Sequence, residues 1–237
     1  MKKIEKQKNK KKEPEKHEKH EANETQKKKI EKEIMIIIAF MVFALAGVFF
    51  VTWLGKHVST FSYDGMRFSL QKIGDITFYT TTLKIVRNDG VFNYTVYLRN
   101  DPRKLENIVV NANLTLKQNV IVAFDPHVDT CPNGGLAGLE LGQFFDMLGI
   151  RKKVATTSQE VAASTGKMLA NCSNATNKTN VILFTQGDAS ITQQGNCFVV
   201  NVSNCQILNS VERFIVVSLG QFIGLSKQKT EEKQGKK

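Results

Sequence analysis

Residues 34–54 read IMIIIAFMVFALAGVFFVTWL, a stretch of 21 residues without a charged side chain. As a helix rising ~1.5 Å per residue it would be about 31 Å long, close to the ~30 Å hydrocarbon core of a bilayer. Thirteen of its residues are Ile, Phe, Val or Leu, and together they favour insertion by about 4–8 kcal/mol. A buried core helix is disfavoured because the stretch is apolar on every face. The stretch therefore predicts a transmembrane helix.

The flanks of this stretch predict its orientation. Thirteen lysines precede it in residues 1–33, whereas the near flank beyond it holds only Lys56, Arg67 and Lys72. Because excess Lys and Arg stay on the cytoplasmic side, we expect a cytoplasmic N-terminus and an extracytoplasmic C-terminus in the cell membrane. Ala44-Leu45-Ala46 has the small-x-small form of a cleavage site, but it lies inside the apolar stretch. An uncleaved signal-anchor at 34–54 is thus favoured over a signal peptide.

Most of the net charge of +11 lies at the two ends of the chain. Residues 1–33 carry +5 and residues 226–237 carry +3, and both segments are rich in Lys and Glu. Such composition predicts disordered tails. Lys27–Lys29 and Lys32 would attract anionic inner-leaflet lipid beside the bilayer-spanning segment. Nucleic-acid binding is not expected, because no basic stripe interleaved with aromatic residues is present.

All four cysteines follow the apolar stretch, at positions 131, 172, 197 and 205. An even number on one side of the membrane predicts two disulfides in an oxidising compartment. Zinc binding is disfavoured, because the chain contains no Cys-x-x-Cys pair. Candidate glycosylation sequons on the same side begin at Asn93, Asn113, Asn171, Asn174 and Asn177, the last three in a polar loop expected to be accessible. The sequon at Asn201 is disfavoured, because it lies in a strand-like run.

Residues 55–65 are predicted to be a juxtamembrane linker and residues 66–118 a β-rich subdomain. Alternating patterns predict strands at 66–71, 76–86 and 91–99. The pair Asp89-Gly90 favours a hairpin turn between the second and third of these strands. Two short runs, 108–110 and 113–116, are expected to add strands to the same subdomain.

Residues 119–225 are predicted to form an α/β part of the same extracytoplasmic domain. Strands are expected at 120–124, 152–157, 181–185 and 197–202, with a helix at 136–148. A last helix is expected from near Ser203-Asn204 to about Phe222, with Gly224 ending it. Strand–helix alternation predicts an α/β (α+β) fold with a mixed, partly parallel sheet and an N-terminal β-hairpin region.

If the strands at 120–124, 181–185 and 197–202 run parallel, two of the four cysteines would lie at each end of the sheet. Cys131 and Cys205 each follow a strand, so both would lie at the carboxyl end of the sheet. Cys172 and Cys197 precede or open strands, at the opposite end. This favours Cys131–Cys205 and Cys172–Cys197 among the three pairings that four cysteines allow.

One cluster has residue types suited to chemistry. Asp125, His127 and Asp129 directly follow a predicted buried strand, and Asp188 follows another. In open α/β sheets ligands bind beyond the carboxyl ends of strands. Asp125, His127 and Asp129 are thus candidate metal ligands, and all four are candidate catalytic residues. The competing interpretation is an ordinary turn, since Asp and Pro are turn formers. No cofactor is predicted, because no complete phosphate-binding or nucleophile motif is present.

The segment YLRNDPRKLENI (97–108), with the Lys/Glu/Asn-rich tail and single anchor, resembles uncharacterised single-pass membrane proteins of archaea. The resemblance covers mainly 92–125 and the closing helix around Glu212-Arg213-Phe214. It implies an archaeal cell surface and no particular activity.

These observations predict a membrane-anchored extracytoplasmic binding or envelope-assembly protein whose protein or envelope partner is not specified. The alternative is a metal-dependent or hydrolytic ectoenzyme that uses the Asp125/His127/Asp129/Asp188 cluster. Nothing in the sequence decides the question of enzyme activity, although the lack of a specific catalytic motif weighs against it.

Overall fold

The computed structural model describes residues 15–58, 60–87 and 90–234. The chain falls into two compact units, which divide after Val58. The first unit contains a single helix, and the second contains two β-sheets with four further α-helices.

Helix α1, Glu15–Val58, is 44 residues long and makes up the described part of the first unit. Residues 31–53 within it include a long apolar stretch, none of it buried, and are long enough to cross a membrane. The sequence predicts a disordered tail over residues 1–33, and from Glu15 onward the structure assigns these residues to α1. Lys, Glu and Gln dominate it, and these residues have high helix propensity, so they extend the apolar helix toward its N-terminus. Residues 1–14 lie outside the described residues.

The second unit opens with a four-stranded antiparallel sheet in the order β1-β2-β3-β4. Its strands are β1, Thr60–Tyr63; β2, Met66–Ile73; β3, Ile76–Arg87; and β4, Gly90–Leu98. Strand β1 falls where a linker was predicted. Asp64 and Gly65, with φ of 48° and 72°, form the turn that returns the chain into β2. The predicted turn at 88–89, between β3 and β4, lies outside the described residues.

A seven-stranded mixed sheet follows, in the order β5-β10-β11-β9-β6-β7-β8. Its strands are β5, Val109–Asn111; β6, Asn119–Phe124; β7, Arg151–Thr156; β8, Met168–Leu169; β9, Thr179–Gln186; β10, Ser190–Gln194; and β11, Cys197–Val202. Strands β11, β9, β6, β7 and β8 run parallel, and β10 is antiparallel to β11. Strand β5 belongs to this sheet and not to the first one, and residues 113–116 form no strand. This is the mixed, partly parallel sheet that strand–helix alternation predicts.

The helices of the second unit are α2, Pro126–Asp129; α3, Gly134–Leu148; α4, Gln159–Thr165; and α5, Ile207–Gln234. Two 3₁₀ helices cover Pro102–Asn107 and Cys172–Asn174. Helix α3 ends at Gly149, whose φ is 70°. Helix α5 continues past Gly224, contrary to the predicted end and to the predicted disordered tail over 226–234. A single glycine lowers helix stability by only about 1 kcal/mol, and the Lys, Glu and Gln residues that follow favour the helix.

One main core joins both sheets to α3 and α5. It contains Phe68 and Leu98 from the first sheet, Phe184 from the second and Phe145 and Phe214 from the helices, all at most 1% exposed. A smaller cluster covers part of the opposite face of the seven-stranded sheet. Because the two sheets share one core, residues 60–224 form a single packed body.

Two disulfides connect loops to this core. Cys131 is bonded to Cys205 and Cys172 to Cys197, with Sγ–Sγ distances of 2.02 and 2.05 Å. This is the pairing that the strand-direction argument favoured. Because β6, β9 and β11 run parallel, the two bridges lie at opposite ends of the sheet, as that argument required.

Candidate binding groove

The predicted Asp/His cluster lies where β6 ends and α2 begins. The carboxylate of Asp125 accepts a hydrogen bond of 2.9 Å from the backbone N–H of His127, so Asp125 caps α2. The backbone N–H of Asp125 donates to the carbonyl oxygen of Phe184 in β9 at 2.8 Å. These contacts make Asp125 a turn and capping residue, as the competing interpretation stated.

The side chains of the other three members of the cluster do not join Asp125 in a common site. Asp129 is ion-paired with Lys167, at 2.8 Å. Asp188 follows β9 at the same end of the sheet as Asp125, and both it and His127 are exposed. Among the described residues, no group of three or more His, Cys, Asp or Glu side chains is arranged to hold a metal ion. The structure therefore does not assemble Asp125, His127 and Asp129 as metal ligands, because two of the three carboxylates near this edge are held in a cap and an ion pair.

A groove between β4 and α3 brings together polar and aromatic side chains that the sequence did not single out. It consists of two cavities of about 410 Å³ each, which share Tyr94 and Gln143 as lining residues. The Tyr94 hydroxyl points across the groove to the carbonyl oxygen of Gln143, at 3.4 Å. We call the two cavities the Glu140 cavity and the Asp146 cavity after the acidic residue that lines each.

The wall opposite α3 is an edge strand. Within the described residues β4 pairs only with β3, so no strand covers its outer edge. Residues 94–97 of this strand line the Glu140 cavity, and Phe92 and Asn93 line the Asp146 cavity. An uncovered edge presents backbone N–H and C=O groups that can pair with another chain.

Glu140 is the unusual residue of the groove. Its side chain is only 12% exposed, and its Oε2 has no hydrogen-bond partner among the described residues. Its nearest cation is Arg99, with a distance of 4.0 Å from Nε to Oε1. Burial is the main cause that raises the pKa of Glu140 to about 8; the nearby charge of Glu212 contributes to this rise, and Arg99 opposes it. The pKa of the Glu140 carboxyl group thus lies close to neutral pH, where small changes in its surroundings change its charge.

Glu212 on α5 is the second buried carboxylate, and it is well satisfied. It is fully buried and accepts hydrogen bonds from the backbone N–H of Arg99 at 2.5 Å and of Asn100 at 3.1 Å. The Asn100 side-chain amide adds a third at 2.7 Å. Burial nevertheless raises the pKa of Glu212 above its ordinary value. Glu212 fixes the end of β4 onto α5, and this holds Arg99 beside Glu140.

The helical pattern contained a signal for both glutamates. Leu136, Glu140 and Phe144 are spaced four residues apart, as are Leu208, Glu212 and Val216. Residues at this spacing share a helix face. A charged residue on an otherwise apolar face indicates a buried, functional or paired charge, and this rule would have selected both residues.

Comparison with known proteins adds no further constraint. No family model, curated protein or solved structure matches this chain. The chemistry of the groove is therefore argued from its own residues: an uncovered strand edge, two cavities beside it, and an acidic group in each.

Proposed function

We propose that this chain is a membrane-anchored binding protein that takes an extended peptide segment of an envelope protein along the outer edge of β4. Residues 34–54 would anchor it with the N-terminus in the cytoplasm and the disulfide-linked domain outside. The exposed apolar helix and the two disulfides support this placement, and the excess of lysines before the helix supports the orientation.

The observation that carries the proposal is the uncovered edge of β4 with a cavity on either side of Tyr94. An added strand gains affinity from main-chain hydrogen bonds, and pockets for alternate side chains give specificity. Two cavities beside one edge match that requirement. The nine residues of β4 are long enough to pair with a short peptide.

The side chains of the groove favour a peptide with basic residues. Each cavity contains a carboxyl group, of which that of Asp146 is already ion-paired with Lys152, and the Tyr94 ring between them can face a cation. Glu140 is the group expected to respond, since a bound ammonium or guanidinium would favour its ionised form. Binding would then release a proton, so that affinity rises with pH up to about 8, the pKa of Glu140.

The test uses the full chain in lipid nanodiscs and a benzophenone-bearing peptide of alternating valine and lysine. We expect saturable binding, with photo-crosslinks that map to residues 92–97 or 140–147. The matched valine–glutamate peptide should bind at least about tenfold more weakly, because its charges oppose those of the groove. Crosslinks spread over other surfaces, or equal binding of both peptides, would contradict the proposal.

Two variants separate the charge from the strand edge. Glu140→Gln should weaken binding of the lysine peptide and remove most of the pH dependence. Gln143→Trp should block binding of both peptides by filling the space between the cavities. Glu160→Gln on α4 removes an exposed carboxylate outside the groove and serves as the control, with binding expected to be unchanged.

Glycosylation is part of the same proposal, because it requires the extracytoplasmic side. Asparagines 93, 113, 171, 174 and 177 are all exposed, so their side chains are open to modification. Intact-mass analysis of protein from its native membrane should show glycan mass on peptides that contain these positions. Protease protection on spheroplasts tests orientation independently, and digestion of residues 1–33 from outside the cell would contradict it.

A further inference from the structure

A further cavity, separate from the groove, lies between residues 114–118, the turn after α3 and the middle of α5. Its volume is about 270 Å³. Leu116, Leu148, Ile150 and Phe222 supply apolar walls. Phe222 is 49% exposed, so an apolar surface is left open at this cavity. Concave sites with mostly apolar walls and a few polar groups are typical of small-molecule binding.

Ser218 of α5 gives this cavity an unsatisfied polar group. Its side chain lines the cavity, the residue is only 5% exposed, and its Oγ has no hydrogen-bond partner among the described residues. Buried hydroxyl groups are normally hydrogen-bonded. The Ser218 hydroxyl is therefore available to a molecule that occupies the cavity.

Lys117 gives the same cavity a positive charge. It is half-buried, lines the cavity and has no ion pair among the described residues. Its backbone N–H donates to the Asn180 side-chain oxygen at 2.6 Å, so its place on the cavity wall is fixed. A positive charge beside an apolar wall attracts an anionic group more strongly than the same charge in open water.

We propose that this cavity binds a medium-chain fatty acid as the free carboxylate. The alkyl chain would lie against Leu116, Leu148, Ile150 and Phe222. The carboxylate would face Lys117 and accept the hydrogen bond that Ser218 donates. An alcohol of the same length would lose the charge pairing, and an alkylammonium would be repelled by Lys117.

The irregular wall of the cavity is held by side chains and not by a neighbouring strand. Gln221 accepts from the Leu114 N–H at 2.6 Å and donates to the Ala112 carbonyl oxygen at 3.3 Å. With Asn180 it replaces the strand partner that residues 112–117 lack. This leaves the space beside the segment open for a ligand.

The test measures binding of radiolabelled decanoate to the full chain in nanodiscs by equilibrium dialysis, with empty nanodiscs as the background. We expect one saturable site above that background. Decanol should compete at least about tenfold more weakly than unlabelled decanoate, and decylammonium should not compete. Equal competition by decylammonium would overturn the proposal, since it would indicate partition into the disc.

Variants of the cavity decide which residues act. Lys117→Gln should weaken decanoate binding about tenfold or more, and Ser218→Ala should weaken it severalfold. Leu148→Trp fills the cavity and should abolish binding. Lys153→Gln, an exposed lysine on β7, is the charge-matched control and should leave binding unchanged. Unaltered binding by Lys117→Gln would overturn the proposal even if Leu148→Trp failed to fold. Neither result depends on the β4 groove, so this site and the proposed peptide site can fail separately.

Discussion

At the scale of single residues, Glu140 is the side chain with the clearest measurable consequence. Its carboxyl group is largely buried, lacks a hydrogen bond at Oε2 and lies near the charge of Glu212. Its pKa therefore rises from 4.5 to about 8. Because the folded state holds this proton more tightly than the unfolded state, the contribution to stability is fully present below pH 4.5 and is lost as pH rises through about 8.

Glu140→Gln should reduce the fall of stability with pH. The amide cannot ionise, so the melting temperature of the variant should change less between pH 5 and pH 9 than that of the native chain. Differential scanning fluorimetry in a nonionic detergent measures this. Asp188→Asn, at an exposed carboxylate, should keep the native pH profile. An unchanged profile for Glu140→Gln would show that another group is responsible.

Two glycines of α5 should differ in how much an alanine substitution stabilises the protein. A Cβ at Gly220 would displace the carboxylate of Asp64, the far end of an exposed side chain in the β1–β2 turn, whereas a Cβ at Gly224 would meet no atom within 4 Å. Gly224→Ala should raise the free energy of unfolding by about 0.5–1 kcal/mol, because alanine restricts the unfolded chain and favours the helix. Gly220→Ala should raise it less, because the displacement of Asp64 offsets part of that gain. Urea unfolding of both variants measures the difference, and an equal or larger gain at Gly220 would contradict the contact.

At the scale of elements, Gln221 replaces part of a missing strand. Polar and apolar residues alternate over 113–116 as in a strand, but this segment pairs with no neighbouring strand among the described residues. The Gln221 amide instead accepts a hydrogen bond from the Leu114 N–H and donates one to the Ala112 carbonyl oxygen. Gln221→Leu should cost about 1–3 kcal/mol, since it leaves the buried Leu114 N–H without its acceptor. Hydrogen exchange of residues 112–116 should accelerate at the same time. Gln194→Leu, at an exposed strand end, is the control. Equal hydrogen exchange of residues 112–116 in the two variants would show that Gln221 does not hold this segment.

Strands and helices were predicted correctly from the sequence where the apolar pattern was long and most of its apolar residues were buried. The strands near 120, 181 and 197 and the helix near 136 follow from continuous apolar runs and a 3.6-residue period. Strand β1 was not predicted, because a strand of four residues is too short to show a periodic pattern. Yet Asp64-Gly65 carried the same turn signal that was recognised at Asp89-Gly90. Helices α1 and α5 extend beyond their predicted bounds, because the Lys, Glu and Gln residues at these ends favour helix.

The candidate site was harder to predict than the elements, for a physical reason. The groove joins β4 to α3 across about 50 residues of chain, and its edge is defined by the absence of a strand partner. No local sequence pattern indicates that β4 lies beside α3 or that the outer edge of β4 has no strand partner among the described residues. Glu140 and Glu212 could have been found from their positions on apolar helix faces. The Asp125 cluster was attractive because its residue types suit metals, but a helix cap uses Asp in the same sequence context.

At the scale of the whole molecule, the Cys131–Cys205 bridge connects the loop after β6 to the start of α5. It joins residues 74 apart and encloses the Cys172–Cys197 bridge, whose cysteines are 25 apart. Removing the outer bridge with a Cys131→Ala/Cys205→Ala pair should lower the free energy of unfolding by about 4 kcal/mol, mainly by freeing the unfolded chain. Urea unfolding of the full chain with the inner bridge intact measures the change. A loss below about 1 kcal/mol would show that the enclosed segment stays compact when unfolded.

The nesting of the two bridges has a consequence for biosynthesis. If the domain is translocated as we propose, the first two thiols to reach the oxidising side are Cys131 and Cys172, and these are not native partners. An oxidase that acted at once would join the wrong pair. Correct disulfide formation therefore has two routes. Either β6 and β9 pair first and hold Cys131 and Cys172 at opposite ends of the sheet, or a thiol–disulfide exchange enzyme converts the non-native bridge into the native ones. The first route depends on the chain alone and the second on its host, and in both the Cys131–Cys205 bridge can close only after Cys205, just before α5, has been synthesised.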